Sequence, residues 1–169
     1  SGSMGGLIFS HLEAAQVGVH SWVGLGNETD IDVGDVLAHY AAEPAVHTVC
    51  CFLEAVNDGA KFVAALKKAR HFGTRVVVIK SGQSEAGQRA TLSHTGNLSS
   101  SSDVYAAVFR KYGVIQIDSL ALFAPVASLL EAGYPLTSSV GIVSASGGAC
   151  SLVADHLEAA GLTVPSLEE

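Results

Sequence analysis

His47-Thr-Val-Cys-Cys-Phe-Leu53 and Arg75-Val-Val-Val-Ile-Lys80 flank a helical stretch that runs from Gly59 to His71. Both outer runs are continuously apolar and rich in β-branched or polarisable residues, the composition of strands buried on both faces. Between them, Phe62, Val63, Leu66 and Ala69 recur at helical spacing, while Lys61, Lys67, Lys68 and Arg70 fall away from that stripe. Strand, helix, strand at this spacing predicts a βαβ unit, whose crossover makes the two strands parallel.

The alternation continues outward. Before the unit, residues 7–16 predict a helix, 19–25 a buried strand and 35–41 a short helix. After it come a helix at 103–111, a strand at 114–117, a helix at 120–132, a strand at 140–144 and a helix at 149–160. The fold class is therefore α/β, a parallel sheet with helices on both faces. Ligands of such sheets bind beyond the carboxyl ends of the strands. Residues 81–103, dense in Gly, Ser, Thr, Gln and Asn, leave from that edge. Too long for an ordinary connector, they read as a functional loop.

One repeat organises the ends of the chain. Residues 1–15 recur at 146–160, an offset of 145, with His-Leu-Glu-Ala-Ala shared at 11–15 and 156–160. That period is far too long for a solenoid and predicts two related domains, the second cut short. Each copy opens with Ser-Gly and runs into an apolar helix. In the second, Gly141-Ile-Val-Ser-Ala145 supplies a preceding strand. Backbone N–H groups at such a turn suit an anion, and capping alone is the competing reading. Ser1-Gly2-Ser3 also has the composition of an expression scar; its register with Ser146-Gly147-Gly148 favours a native origin.

Composition narrows the function classes. Hydrophobic residues at 49% against 15% charged exclude a disordered chain. A net charge of -7 with no basic stripe excludes a nucleic-acid backbone as the main partner. Small phosphorylated ligands remain allowed, since backbone N–H groups hold them without Lys or Arg. Cys50, Cys51 and Cys150 form no C-x-x-C pair and read as buried free thiols in a reducing compartment. No signal-peptide pattern and no membrane-length apolar stretch is present, which predicts a cytoplasmic protein without metal or membrane contacts.

Among seven histidines, His94 stands apart, in Thr91-Leu-Ser-His-Thr-Gly-Asn-Leu98. Small neighbours leave its ring accessible, and imidazole is a nucleophile near neutral pH that also leaves well once phosphorylated. A solvated loop histidine is the bland alternative. A phosphorylating imidazole needs one nitrogen held as a donor, commonly by a carboxylate. Glu54, at the end of the strand 47–53, is the candidate at the same sheet edge; as its alternative, it simply opens the loop that follows.

These segments resemble the nucleoside-diphosphate-forming acyl-CoA synthetases, the superfamily that includes succinyl-CoA synthetase. Ser1-Gly-Ser-Met-Gly5 looks like the family's first phosphate-facing turn, and Gly24-Leu-Gly-Asn-Glu28 with Asp30 like its Leu-Gly-Asn segment. Phe52-Leu-Glu-Ala-Val-Asn-Asp-Gly59 is similar to the segment whose glutamate orients the active histidine. Lys80-Ser-Gly-Gln-Ser-Glu-Ala-Gly87, followed by Ser93-His-Thr-Gly96, resembles the phosphohistidine loop, the most specific of these signatures. Ala145-Ser-Gly-Gly148 resembles the second phosphate-facing turn; Ala149 and Cys150 depart from the family pattern there.

The resemblance implies a flavodoxin-like, succinyl-CoA synthetase-type domain over residues 1–135 and the first βα unit of a related domain over 136–169. It implies that His94 and Glu54 are catalytic, with Ser1, Gly2, Ser3, Ser146, Gly147 and Gly148 binding the phosphoryl group. The reaction interconverts acyl-CoA, phosphate and NDP with a carboxylic acid, CoA and NTP. Coenzyme A and ATP/ADP with Mg2+ serve the complete enzyme, and none is expected to bind tightly here. The family's CoA-binding Rossmann-like domain and ATP-grasp domain are not in this sequence, so they are implied as partners, in the same chain or another subunit. A homo-oligomer is compatible. The competing class is a regulatory module that senses CoA or acyl-CoA within a larger protein such as an acetyltransferase fusion; retention of His94 argues against it.

Overall fold

A computed structural model describes the backbone of residues 2–95, 101–133 and 137–166, and the side chains of all these except Gly2 and residues 91–95. The chain divides into two compact units, Ser1–Gly133 and Tyr134–Glu169. The first contains α1 (Gly2–Ala14), α2 (Val33–Tyr40), β1 (Thr48–Leu53), α3 (Gly59–Phe72), β2 (Arg75–Lys80), α4 (Glu85–Thr95), α5 (Ser102–Tyr112) and β3 (Ile115–Gln116). A 3-10 turn, Leu120–Leu122, and α6 (Phe123–Glu131) complete it; the second unit contains α7 (Gly147–Ala159).

The three strands form a parallel sheet in the order β1-β2-β3, with Thr48 opposite Arg75, Leu53 opposite Lys80 and Val77 opposite Ile115. Alternation along β2 explains the two layers of core. Val76 and Val78 pack with Leu37, Leu53, Phe62, Leu66 and Phe109 on one face. Val77 and Ile79 pack with Ile8, Leu12, Phe123 and Ala127 on the other. Each fully buried valine stabilises the fold by about 1.5–3 kcal/mol relative to an exposed one.

Local signals set the helix ends. Asp58 caps α3 by accepting from the N–H of Lys61 at 2.9 Å, and Gly73 ends it at φ 79°, a left-handed conformation that costs glycine little. Asp32 and Asp35 form a reciprocal capping box on α2. Lys61 departs from the expected solvated face of α3: its Nζ bridges Asp32 at 3.1 Å and Asp35 at 2.9 Å.

Three expectations are corrected. Residues 19–25 are not a strand; they run beside the outer edge of β1 with Trp22 and Val23 exposed, because among the described residues no strand pairs with their backbone. Residues 140–144 likewise form no strand, only a parallel bridge from Ser139 to Thr163, and Val143 is fully exposed. The loop read at 81–103 contains α4. Glu85, Ala86, Gln88, Arg89, Ala90 and Leu92 are good helix formers, and Ser84 Oγ accepts from the N–H of Gly87 at 3.1 Å. Small polar residues around this core of helix formers obscured it.

The repeat is also a structural one. Helices α1 and α7 have bounds that differ by 145 at both ends, 2 to 147 and 14 to 159. Both close through the same turn, with Gln16 at φ 57° and Gly161 at φ 77°. Among the described residues, no helix is long and apolar enough to cross a membrane.

Candidate functional site

The carboxyl ends of β1 and β2 meet at the pair Leu53–Lys80. Lys80 completes an apolar strand and is only 3% exposed. A buried ammonium requires acceptors. Its Nζ donates to the carbonyl of Glu54 at 2.8 Å and to that of Ser81, and lies 4.7 Å from the centre of the Tyr105 ring. Burial holds the Lys80 pKa below its ordinary value, and the nearby Glu54 carboxylate opposes that shift.

The strand exits are tied to each other. Ser81 donates to the carbonyl of Leu53 through its backbone N–H at 2.9 Å and its hydroxyl at 3.3 Å. Gln83 Nε2 donates to the carbonyl of Lys80 at 2.7 Å, and Gln83 Oε1 accepts from Gln116 Nε2 at 3.2 Å. Glu54 is half-buried at the end of this network. A second carboxyl, Glu28, approaches from residues that precede α2. Its backbone is left-handed, at φ 52°, and Oε2 accepts from the N–H of Val33 at 3.4 Å. Burial raises the Glu28 pKa, the Val33 bond lowers it, and the charges of Asp32 and Glu54 raise it further. Glu54 thus lies in the field of both an ammonium and a carboxyl that resists ionisation. Shifted groups that gather at a sheet's carboxyl edge mark a functional site.

His94 stands in the last turn of α4, the helix that begins five residues after β2, so it is on a helix and not in an irregular loop. The His94 side chain lies outside the described residues. Ser1 lies outside the described residues, and Gly2 and Ser3 form the first turn of α1, with Ser3 exposed. In the second unit, Ser146 is the N-cap of α7, its hydroxyl accepting from the N–H of Ala149 at 3.3 Å. Gly147 and Gly148 open that helix and are exposed. First-turn N–H groups have no acceptor within their own helix, the property an anion exploits. Among the described residues, no three His, Cys, Asp or Glu side chains converge as a metal site.

Lys80, Tyr105, Gln83 and Glu28 were not singled out as site residues from sequence. Lys80 had a signal, a lone charge closing an apolar strand in a position that alternation makes internal. Glu28 closes the Gly24–Glu28 segment quoted above, but its burial beside Glu54 depends on a left-handed backbone turn that no local pattern shows.

Comparison with known proteins converges on one family. Residues 1–130 match the model described as succinyl-CoA ligase like flavodoxin domain. The alpha subunit of acetate–CoA ligase (ADP-forming) II from Pyrococcus furiosus is 29% identical over all of this chain, which covers 37% of that protein. Acetate–CoA ligase (ADP-forming) I from Archaeoglobus fulgidus is 34% identical over 86% of this chain and 21% of its own length. The chain thus spans well under half of the curated relatives it matches. Among solved structures, a dinucleotide-forming acetyl-coenzyme A synthetase 1 from Ca. Korarchaeum cryptofilum, in complex with phosphate and ADP, aligns with a TM-score of 0.87. At 24% identity it covers 99% of this chain and 37% of its own, and shows the shared fold.

Proposed function

Because the chain belongs to the succinyl-CoA ligase like flavodoxin domain family, we propose that it is the phosphohistidine-bearing part of an NDP-forming acyl-CoA synthetase. Phosphate displaces CoA from acyl-CoA to give an acyl phosphate, His94 takes its phosphoryl group with release of the carboxylate, and the group then passes to a nucleoside diphosphate. Run the other way, NTP phosphorylates His94 and the group activates the acid for transfer to CoA. Acyl-CoA, phosphate and NDP are thereby exchanged for acid, CoA and NTP.

The observation that carries this reading is the placement of Glu54. Its carboxylate follows β1 at the sheet edge from which the strand leading to the His94 helix also exits, and Lys80 grips the backbone beneath it. In the proposed mechanism Glu54 accepts from one ring N–H of His94, leaving the other nitrogen to attack. N–H groups at Ser1, Gly2 and Ser3, and at Ser146, Gly147 and Gly148, serve as phosphate donors without any basic side chain. Support also comes from the relatives, named as ADP-forming acid–CoA ligases. Nucleotide with Mg2+, and coenzyme A, would be bound by ATP-grasp and CoA-binding domains in the same chain or in a partner subunit.

The test is labelling of the complete protein with ATP carrying an isotopic γ-phosphate. An acid-labile, base-stable phosphoryl group is expected, absent from His94→Ala. Equal labelling of that variant overturns the assignment, and an unlabelled wild type that binds acyl-CoA indicates a ligand sensor instead.

A further inference from the structure

Lys80 touches three parts of the chain at once. Its Nζ donates to the carbonyl of Glu54 at 2.8 Å and to the carbonyl of Ser81, and it lies 4.7 Å from the centre of the Tyr105 ring. Glu54 and Ser81 are each the first residue past the last pair of the β1–β2 register, Leu53 with Lys80. The Ser81 N–H still donates to the Leu53 carbonyl at 2.9 Å, and the register stops there. Tyr105 belongs to α5 and packs in the core layer of Val76, Val78 and Phe109. Alternation puts Lys80 on that same face of β2, which is why the ring meets the ammonium.

All three contacts bear on the segment that carries His94. Residues 81–105 leave β2 and reach α5, and α4 with His94 lies between. Ser81 is the first residue of that excursion, and Tyr105 stands in the opening turn of the helix that ends it. One ammonium therefore grips both ends of the excursion together with the backbone of Glu54. Packing does not call for a charge here: Val76 and Val78 fill the preceding positions on this face. A buried ammonium is costly unless bonded, and by itself contributes little to stability. A methionine would fill the same space without that cost, but it cannot donate to two carbonyls. What the charge adds is a fixed geometry.

We propose that Lys80 is a positioning residue for phosphoryl transfer, acting through Glu54: its ammonium fixes the root of the His94-bearing excursion at a set distance from that carboxylate. The inference rests on the reading of His94 as the phosphoryl carrier and Glu54 as its orienting group, and adds the group that keeps the two in register. In this role Lys80 meets no reacting atom. A misplacement of about 1 Å costs on the order of a hundredfold in rate. Loss of the ammonium therefore acts on the rate of transfer and not on nucleotide binding.

Single-turnover phosphorylation of His94 by γ-labelled ATP in the complete protein tests it. Wild type, Lys80→Met, Glu54→Gln and the double variant are compared at a temperature where urea curves show all four folded. Lys80→Met is expected to transfer about tenfold slower or more, at an unchanged half-saturating ATP concentration. The double variant is expected within about twofold of Glu54→Gln alone, since two residues acting through one placement are not additive. A Lys80→Met rate equal to wild type overturns the proposal. So does a double variant slowed by the product of the two single effects, which would mean that Lys80 acts independently of Glu54. A wild type that takes no label overturns the His94 reading itself, and this proposal with it. If Lys80→Met does not fold, Tyr105→Leu takes its place in the same cycle, removing the ring and leaving both Lys80 bonds. A slowing that vanishes in the Glu54→Gln background supports the proposal, and an unchanged rate overturns it.

Discussion

Lys80 Nζ donates a 2.8 Å hydrogen bond to the backbone carbonyl of Glu54, joining the ends of two paired strands through a buried charge. The residue proposed to orient the reacting histidine is thus held from below by a side chain that does not meet solvent. Replacing Lys80 by Met keeps most of the volume and removes the donor. The variant is expected to lose about 1–3 kcal/mol in urea unfolding, since bonds from a charged donor exceed ordinary ones.

The same residue predicts a pH dependence. Its native pKa is depressed by burial, so between that value and the ordinary lysine value near 10.4 the unfolded chain binds more protons than the folded one. Stability contributed through Lys80 therefore rises with pH across that window. Lys80→Met is expected to flatten this alkaline rise, measured as unfolding free energy from neutral pH upward.

Glu54→Gln retains size and hydrogen-bonding capacity but removes the charge. Phosphorylation of His94 in the complete protein is expected to slow about 10–100-fold, the usual penalty for losing a group that orients a reactive imidazole. Rapid-quench labelling measures it, with an unchanged circular dichroism spectrum showing that the sheet edge survives.

Gly34 sits where α2 crosses α3. A Cβ there would lie 3.1 Å from Asp32 Oδ1 and Lys61 Cγ, and 3.2 Å from the Lys61 carbonyl carbon. The side chains can yield, but the backbone atom cannot without moving a helix. Gly34→Ala is expected to cost about 1–3 kcal/mol through overpacking, read from its thermal or urea midpoint.

The Asp32–Asp35–Lys61 cluster sets a response to acid. Asp35 is held below the ordinary aspartate range by the Asp32 N–H and then by Lys61. A depressed carboxyl stabilises the fold above its unfolded value, near 3.9, and that contribution disappears as pH falls through the native value. Asp35→Asn should be less stable at neutral pH yet lose less on acidification, compared by unfolding at both pH values. On the alkaline side, the Lys61 pKa is pushed up to about 12 by Asp35 and Asp32, so that pairing persists until pH reaches the same region.

Local pattern was enough for the βαβ unit. Val76 to Ile79 can only be a buried strand, and the stripe through Phe62, Leu66 and Ala69 can only cover it, because burial and periodicity are encoded within a few adjacent residues. The offset of 145 was legible for the same reason, and the structure reproduces it as two helices of equal length with equivalent closing turns. Residues 19–25 and 140–144 carry strand-like composition, but a strand exists only where another backbone meets it, and sequence does not list neighbours. Glu54 was readable as a candidate because it ends a strand. What surrounds it was not: Lys80, 26 residues away in the chain, and Glu28, another 26 in the other direction, reach it only through parallel pairing and a left-handed turn. The sequence alone determined the elements and their layering, whereas the environment of the candidate carboxylate was decided by tertiary structure, since fields and burial depend on distance in space and not along the chain.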